Sequence, residues 1–307
     1  MSPDGSRFVD SASDRRTPTR VVLRDNQGRL VRRIDTNPVP DLEDYQLQSV
    51  EFVQLRARDG VLLEGSLVMP PNFDPRQQYP VWVLTYGGPH APTMSDSWRG
   101  GRTFEQLLAN MGVIAFRFDP RSASGQGAQS AWTADRQLGV SELRDLDDAV
   151  DWLTAKSFVD GERIGISGHS YGGFLTAYAL THSKKFVAGI AGAPVTDWRN
   201  YDTIYTERYM STPQDNPNGY RRSSVVDAAG DLHGRLLLIH GARDDNVHIA
   251  NTLQFANALQ QADKSFEMMV YPQNRHGIGG IHYQRLRLDF IRRSLDLSED
   301  VSEREFH

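Results

Sequence analysis

Residues 163–182 read RIGISGHSYGGFLTAYALTH, and the architecture predicted for the whole chain follows from them. An apolar run, RIGIS, leads into Ser170, and a helix-prone run, FLTAYALTH, follows it. Gly168 and Gly172 stand two residues before and after the serine. A serine at a tight strand-to-helix turn adopts a strained backbone, and glycines at these spacings let the strand and the helix approach without a clash. The stretch therefore predicts an exposed, nucleophilic serine.

The Gly-x-Ser-x-Gly pattern alone is weak evidence, because a chain of this length contains one by chance roughly one time in ten. Its position between a strand and a helix removes most accidental matches, so Ser170 is the predicted nucleophile. His169 leaves the turn in a different direction from Ser170, and we interpret it as a residue of the site wall.

Apolar runs recur outward from this turn, separated by helical segments. The clearest helix is ELRDLDDAVDWLTAK, residues 142–156, whose apolar residues fall on one face. Alternating strands and helices predict an α/β class with a mainly parallel sheet covered on both faces, and the serine turn is typical of the α/β-hydrolase fold. The predicted strands are residues 81–85, 113–118, 163–167, 187–191, 236–239 and 266–271.

The N-terminal residues have a different pattern. Two β-prone runs in residues 21–34 flank a turn at 25–28, and the Pro-rich, acidic segment 36–45 follows as a linker. A second hairpin, residues 49–70, turns at Asp59-Gly60. We therefore divide the chain into an N-terminal β segment, 1–46, and a catalytic domain, 47–307.

The composition of the chain excludes several classes of partner and site. The chain has 307 residues, 39% of them hydrophobic, a net charge of -5 and scattered Lys and Arg residues, so we expect no nucleic-acid partner. Because no apolar stretch approaches about 20 residues and the N-terminus is polar, we expect no membrane segment. The chain as written would be cytoplasmic, or periplasmic or secreted if it is part of a longer exported precursor. Without cysteine, disulfides, cysteine nucleophiles and thiolate metal sites are excluded.

A serine hydroxyl needs an imidazole base and a carboxylate that orients the imidazole, and in this fold they follow the serine in the order acid, then histidine. The run RLLLIHGARDDNVH is a buried strand that stops at Gly241, which places Asp244 and Asp245 in the loop beyond it. The next strand is followed in the same way by QNRHG, which contains His276. Two loops at one sheet edge are thus predicted to supply the acid and the base.

Among nine histidines, His276 is favoured as the base by its position after the last strand. His282, in the first turn of the next helix, is the second choice, and His240 and His248 belong to the acid strand and its loop. The residues alone do not separate the two aspartates: one orients the histidine while the other pairs with Arg243 or hydrogen-bonds the loop.

Five segments together are similar to one known family. They are YGGPHAP (86–92), GHSYGG (168–173), APVTDWRNYDTIYTERYM (193–210), LLIHGARDDNVH (237–248) and RHG (275–277). From about residue 47 onward the chain resembles the catalytic domain of the prolyl oligopeptidase family, in particular its dipeptidyl peptidase IV branch. SPDG, FVDSAS and VVLRDNQG look like the closing strands of the β-propeller that precedes this domain, the body of which is missing here.

The resemblance implies roles for particular residues. It makes Asp244 the triad acid and His276 the base. It makes the hydroxyl of Tyr86 and the backbone N–H of Tyr171 the two oxyanion donors, each worth about 3 to 4 kcal/mol in this kind of chemistry. On the residues alone, Tyr86 would be an ordinary aromatic residue at a strand end. The chemistry calls for no metal and no organic cofactor.

The resemblance also implies a pocket for the residue before the cleaved bond. A flat apolar box suits a proline ring, which is rigid and has no N–H to leave unsatisfied. Asn246 is expected to hold a substrate carbonyl, and Arg208 to be a pocket arginine paired with a nearby acid. Without the resemblance, the aromatic stripe would be interpreted as core. The residues of the box are Tyr171, Val195, Trp198, Tyr201, Tyr205 and Val247.

Two departures from the family pattern bear on specificity. His169 stands where the dipeptidyl peptidase IV branch has a tryptophan. The family's dipeptidyl peptidases also grip the free amino terminus of the substrate with two propeller glutamates, and no propeller body is present.

We therefore expect a serine peptidase that cleaves peptides after Pro or Ala through an acyl-enzyme. The alternatives are an acylaminoacyl peptidase or esterase, and an inactive remnant that serves as a binding or dimerisation module. The resemblance further implies a homodimer that involves the C-terminal helix.

Overall fold

The computed structural model describes residues 1–98, 103–123 and 125–298 and contains two β-sheets. The smaller sheet has three antiparallel strands, Arg7–Ala12 (β1), Arg20–Asp25 (β2) and Leu30–Asp35 (β3). The turn between β2 and β3 is closed by the N–H of Gly28, which donates to the Asp25 carbonyl at 2.9 Å. The first predicted hairpin is therefore confirmed. Strand β1 pairs with β2 on the other side, and the three antiparallel strands together resemble the remnant of a propeller.

The larger sheet has eight strands in the described residues. They are Val50–Arg56 (β4), Leu62–Val68 (β5), Tyr79–Thr85 (β6), Ile114–Asp119 (β7), Val159–His169 (β8), Ala188–Gly192 (β9), Arg235–Gly241 (β10) and Glu267–Tyr271 (β11). Their order across the sheet is β11-β10-β9-β8-β6-β7-β5-β4. Strands β4 and β5 form the second predicted hairpin and are antiparallel, whereas the other six run parallel.

Each strand predicted from an apolar run overlaps an observed strand. The largest difference is at β8, which begins at Val159, four residues before the predicted start at Arg163. Its first residues include the polar segment 160–163, which an apolar pattern does not detect, and Val159 pairs with Tyr79 of β6. Strand pairing thus extends beyond the hydrophobic signal.

Helices cover both faces of this sheet because successive side chains of a strand point to opposite sides. In β6, Val81 and Val83 lie in one buried cluster, and Trp82 and Leu84 lie in the other. The helices are Thr103–Asn110 (α1), Ala128–Ala131 (α2), Val140–Thr154 (α3), Tyr171–His182 (α4), Thr203–Met210 (α5), Pro217–Arg222 (α6), Ala250–Gln261 (α7) and Ile281–Ser294 (α8). Side chains of α3, α4 and α7 belong to the first cluster, and side chains of α1 and α8 belong to the second.

This is the α/β-hydrolase fold, as predicted, and it gathers the candidate residues at one edge. Tyr86 directly follows β6, and Ser170 directly follows β8. Asp244 and His276 lie three and five residues beyond the ends of β10 and β11. Because these four strands are parallel, their carboxyl ends meet at the same side of the sheet, where such folds place their reactive groups. Among the described residues, no helix has both the length and the apolar composition to cross a bilayer.

Candidate active site

Ser170 occupies a strained turn. Its backbone has φ 61° and ψ -120°, a conformation that costs a non-glycine residue about 1 to 3 kcal/mol. Two hydrogen bonds hold it: the Ser170 N–H donates to the Gly192 carbonyl at 2.8 Å, and the Ser170 carbonyl accepts from the N–H of Phe174 at 2.9 Å. The serine is thus fixed between β8 and α4 at the sheet edge.

The two glycines around the serine are required by close backbone contacts. A Cβ on Gly168 would lie 2.4 Å from the Gly172 carbonyl oxygen and 2.5 Å from that of Thr85. A Cβ on Gly172 would lie 2.5 Å from the same Thr85 oxygen. No flexible side chain can move aside at these points, so the steric reason predicted for the motif agrees with the structure.

The predicted acid and base lie in contact. Nδ1 of His276 is 2.8 Å from Oδ2 of Asp244, and because a carboxylate only accepts, this nitrogen carries the proton. Oδ1 of Asp244 accepts the backbone N–H groups of Asn246 and Val247, both at 3.0 Å. Asp244 is only 4% exposed. The remaining nitrogen of His276, Nε2, is left with the lone pair that a general base needs.

A second histidine contacts the same carboxylate. Nε2 of His240 lies 3.2 Å from Oδ2 of Asp244 and 2.8 Å from the Val247 carbonyl, which only accepts, so Nε2 carries the proton. Its Nδ1 lies 2.7 Å from the hydroxyl of Thr252. Burial lowers the pKa of His240, so its ring is neutral. Sequence reasoning assigned His240 only to the acid strand, and this contact was missed.

For the other aspartate, the sequence left two possibilities open, an ion pair with Arg243 or hydrogen bonds to the loop, and the structure shows a third partner. Asp245 pairs with Arg275 at 2.7 Å rather than with Arg243. The reason is that Arg275 directly precedes His276, and the bond between Asp244 and His276 brings the two loops side by side. Both side chains of the pair are about two-thirds exposed, so its contribution to stability is small.

The predicted oxyanion donors flank the serine. The side chain of Ser170 lies beside the hydroxyl of Tyr86. Burial raises the pKa of Tyr86 by more than this neighbour lowers it, which keeps the phenol protonated. Tyr171 is the first residue of α4, and N–H groups in the first turn of a helix have no partner inside it. The rings of Tyr86 and Tyr171 lie 6.1 Å apart. Both predicted donors therefore belong to residues next to Ser170.

The predicted apolar box is present as a set of packed rings. Tyr205 stacks on Trp198, with centroids 5.9 Å apart and an angle of 18° between the planes, and Tyr201 meets Trp198 edge-on at 6.0 Å. The ring of Tyr171 lies 5.5 Å from that of Trp198. Trp198 itself is buried in the core, whereas Tyr201 and Tyr205 are only partly buried. Val195 and Val247 are also buried.

The predictions for two polar residues of the pocket have different outcomes. Asn246 lies beside the box, where its Oδ1 accepts a hydrogen bond from the hydroxyl of Tyr201 at 2.7 Å. Arg208 was expected to pair with an acid, and in the part of the chain that the structure describes it has no such ion pair. Its guanidinium lies 5.6 Å from the ring centroid of Tyr209.

A buried acid beneath the pocket was not foreseen. Oε1 of Glu142 accepts from the hydroxyl of Ser122 at 2.8 Å and from that of Tyr171 at 3.4 Å, and Oε2 accepts from the N–H of Gly139 at 3.0 Å. Complete burial raises the pKa of Glu142. The only sequence signal was an acidic residue at the third position of α3, which is typical of a helix cap. Glu142 connects the start of α3 to Tyr171.

Residues that could hold a metal ion do not cluster here. Within the described ranges, no group of three or more His, Asp or Glu side chains is arranged as a set of metal ligands. The arrangement of side chains instead offers a hydroxyl, an imidazole, a carboxylate and two hydrogen-bond donors.

The sequence profile of the prolyl oligopeptidase family matches residues 102–298, which is more than half of the chain. The chain belongs to the prolyl oligopeptidase family. A probable dipeptidyl-aminopeptidase B of Aspergillus terreus is 39% identical over 242 residues, and human dipeptidyl peptidase 8 is 35% identical over 268 residues. These alignments cover 77% and 84% of this chain, but only 26% and 29% of the two relatives.

A solved structure of the family superposes closely. The crystal structure of Porphyromonas gingivalis dipeptidyl peptidase 4 matches with a TM-score of 0.91 and 35% identity. The match covers 97% of this chain and 43% of that one. The chain therefore spans less than half of the length of these family members.

Proposed function

We propose that this chain is the catalytic part of a dipeptidyl peptidase-like serine peptidase that cleaves after Pro or Ala. The observation that carries the proposal is the hydrogen bond between Asp244 and His276 at the same sheet edge as Ser170, which occupies a strained strand-to-helix turn. Membership in the prolyl oligopeptidase family, and the names of the relatives, support it.

The reaction follows from these groups in two steps. Ser170 Oγ attacks the substrate carbonyl carbon while Nε2 of His276 takes its proton, and Asp244 stabilises the imidazolium that forms. The hydroxyl of Tyr86 and the N–H of Tyr171 bind the oxyanion. His276 then gives the proton to the leaving amine, the C–N bond breaks, and an acyl-Ser170 ester remains. Water, activated by the same histidine, hydrolyses the ester.

The pocket supports cleavage after a small or cyclic apolar residue. The partly buried rings of Tyr201 and Tyr205 offer flat apolar surface, and the buried rings of Tyr171 and Trp198 pack behind them. A proline side chain loses little conformational entropy when it is bound and has no N–H to leave unsatisfied. Asn246 is close enough to this box to bind the carbonyl of the preceding residue, since it already contacts Tyr201.

The first experiment replaces the nucleophile. We expect Ser170→Ala to lower kcat for Gly-Pro and Ala-Pro chromogenic substrates by about four to six orders of magnitude. A fluorophosphonate probe should label the native chain and not the variant. Retention of most activity in the variant would exclude Ser170 as the nucleophile, and no labelling of the folded native chain would favour a binding or dimerisation module.

A substrate panel then tests the specificity. Substrates with a free amino terminus are compared with the same sequences blocked by an acetyl group. Preference for the free amino terminus supports the dipeptidyl peptidase, and preference for blocked substrates supports an acylaminoacyl peptidase. Turnover of simple esters alone supports an esterase.

The homodimer through the last helix, α8, stays a prediction that rests on the resemblance. Light scattering of the chain across a range of concentrations measures it directly.

A further inference from the structure

The triad acid lies in a loop whose turn binds its carboxylate. We call residues 242–249, between β10 and α7, the acid loop. Oδ1 of Asp244 accepts the N–H groups of Asn246 and Val247, both at 3.0 Å, so the direction of the other oxygen, Oδ2, depends on where this turn lies. Oδ2 is the atom that His276 contacts at 2.8 Å. A group that fixes the turn therefore also fixes the contact between acid and base.

A buried histidine of β10 binds this turn by its backbone. Nε2 of His240 lies 2.8 Å from the carbonyl oxygen of Val247, which only accepts, so Nε2 carries the proton and donates. The N–H of the same residue, Val247, donates to Asp244. Both backbone polar groups of Val247 are thus bound, one by the acid and the other by His240. The ring of His240 connects to the acid through a single residue.

The ring of His240 is in turn held by helix α7. Its Nδ1 lies 2.7 Å from the hydroxyl of Thr252. Because Nε2 carries the proton of the neutral ring, Nδ1 accepts and the hydroxyl donates. His240 and Thr252 are both 0% exposed, and hydrogen bonds in such surroundings are stronger than in water. A chain of hydrogen bonds therefore leads from α7 through the ring and Val247 to Asp244.

The ring supports the charge of the acid without cancelling it. Nε2 of His240 also lies 3.2 Å from Oδ2 of Asp244, the oxygen that His276 contacts. A protonated ring at this distance would oppose the imidazolium that forms on His276. Burial lowers the pKa of His240, and both of its nitrogens already have partners, so the ring is neutral near pH 7. The full negative charge of the carboxylate remains available to His276.

We propose that His240 is a positioning residue for Asp244: its ring, held by Thr252, binds the Val247 carbonyl and so fixes the turn that directs Oδ2 of the acid at the base. The inference rests on the proposed function, in which Asp244 orients His276. The role of His240 is to direct the acid, and its ring takes up no proton during the reaction.

Two variants with side chains of equal length separate the hydrogen bond from simple filling of space. His240→Gln keeps an amide N–H as many bonds from the backbone as Nε2, whereas His240→Met fills the space without a donor. We expect His240→Met to lower kcat for the Gly-Pro substrate about 10- to 100-fold, because displacement of a catalytic group by up to about 1 Å has effects of this size. His240→Gln should stay within about fivefold of the native chain, since the Val247 carbonyl keeps a donor.

Fluorophosphonate labelling separates an effect on the triad from an effect on the pocket. Val247 also belongs to the predicted apolar box, so a shift of the turn can change the binding of a proline substrate. A small fluorophosphonate needs the activated serine and has no proline ring to place in the box. If His240 acts through Asp244, the labelling rate and kcat fall by similar factors in His240→Met.

The far-downfield proton NMR resonance of His276 Nδ1–H reports on the bond to Asp244 directly. We expect it to be sharp in the native chain and in His240→Gln. In His240→Met it should move upfield and broaden, because a carboxylate that is no longer directed at the imidazole binds this proton less strongly.

The control is His182→Met, which removes a ring with similar contacts at the far end of α4 from Ser170. Nδ1 of His182 lies 2.9 Å from the hydroxyl of Thr181 and 3.1 Å from the carbonyl of Tyr178. This variant should match the native chain in kcat and labelling. All rates are measured below the thermal unfolding transition of every variant, so that a loss of activity is not a loss of folded protein.

The outcomes distinguish this proposal from the proposed function. Absence of labelling in the folded native chain would overturn the function itself. With the native chain labelled, native rates in His240→Met, equal losses in His240→Met and His240→Gln, or a loss of kcat without a loss of labelling would each overturn the role of His240 alone.

A second variant decides if His240→Met does not fold. Thr252→Val keeps the ring and removes the hydroxyl that holds it. We expect kcat and the labelling rate to fall about 2- to 10-fold, the effect of one lost hydrogen bond, with a broadened His276 resonance. Native rates and a native resonance in this variant would overturn the proposal.

Discussion

At the scale of single residues, the most constrained group in the site is the carboxylate of Asp244. Its two oxygens face two backbone N–H groups and two imidazole nitrogens, at 2.8 to 3.2 Å. Burying an ionised carboxylate is costly unless donors replace its hydration shell, and four donors do so here. Two of these donors, the N–H groups of Asn246 and Val247, hold Oδ1, so Oδ2 stays directed at His276.

This arrangement predicts that kcat falls strongly when the charge of Asp244 is removed without a change in side-chain volume. In Asp244→Asn, the amide NH2 group cannot face the backbone N–H groups of Asn246 and Val247, which only donate, so it turns toward His276. Nδ1 of His276 must then accept and its proton moves to Nε2, and we expect kcat to fall by about 10⁴-fold, the size of effect seen when a triad histidine takes the wrong tautomer. Steady-state kinetics on the Gly-Pro substrate measures it.

The matched control is the neighbouring Asp245→Asn. It removes only the exposed ion pair with Arg275, so kcat should stay within a few-fold of the native value. A loss in Asp245→Asn as large as that in Asp244→Asn would contradict the assignment of the acid.

At the scale of elements, the catalytic loops continue the pairing of the strands that precede them. Gly241 and Tyr271 are the last paired residues of β10 and β11, and the N–H of Ala242 still donates to the Tyr271 carbonyl at 3.0 Å. On the other side of the site, β8 passes into α4 through the serine turn. There the backbone of Gly168, at the end of β8, and of Gly172, at the start of α4, packs against the carbonyl of Thr85 at the end of β6. Backbone pairing therefore holds the site where it contacts the sheet, and the bond of His276 to Asp244 holds the loop that carries His276 where it leaves the sheet.

The serine turn predicts a sharp difference between two glycines. Gly172→Ala would place a Cβ 2.5 Å from the Thr85 carbonyl oxygen, which belongs to a buried central strand and cannot move. We expect the free energy of unfolding to fall by about 3 kcal/mol or more, and labelling of Ser170 to be lost. Urea denaturation at constant pH measures the stability.

Gly230→Ala is the control for that change. A Cβ on Gly230 meets nothing within 4 Å, and its φ is not in the left-handed region. Its stability should differ from the native value by less than about 1 kcal/mol, with labelling intact. Equal losses in the two variants would contradict the steric explanation.

At the scale of the whole molecule, the loop that follows β1 contacts the segment that follows β6 through hydrogen bonds. The Arg15 N–H donates to Asp96 at 2.9 Å, and the Trp98 N–H donates to the hydroxyl of Ser13 at 3.2 Å. Strand β3 is exposed along its whole length, including the apolar side chains of Leu30 and Ile34. Exposed apolar side chains on an open strand favour association between chains.

We therefore expect the double change Leu30→Lys with Ile34→Lys to reduce concentration-dependent self-association of this chain, with no change in Tm or in labelling of Ser170. Sedimentation velocity at several concentrations measures it. The control is Leu253→Lys, an equivalent change at a half-exposed position on α7, away from the small sheet. If the control reduces association as much as the double change, the small sheet is not the cause.

The sequence by itself determined the parts of this protein that depend on local pattern. Apolar periodicity located the six parallel strands and the helix α3, because each burial pattern repeats within a few residues. The glycines around Ser170 predicted the turn, since the steric need lies in adjacent backbone. The order of strands also predicted that Asp244 and His276 would lie at one edge of the sheet.

Tertiary structure alone decided which side chains touch across that edge. His240, His169 and Glu142 contact the site through packing between segments far apart in the chain, and no local pattern encodes such contacts. Asp245 paired with Arg275 instead of Arg243 for the same reason: the partner of an exposed charge is set by which loops lie side by side. Periodicity is a property of one segment, whereas a contact requires the positions of two.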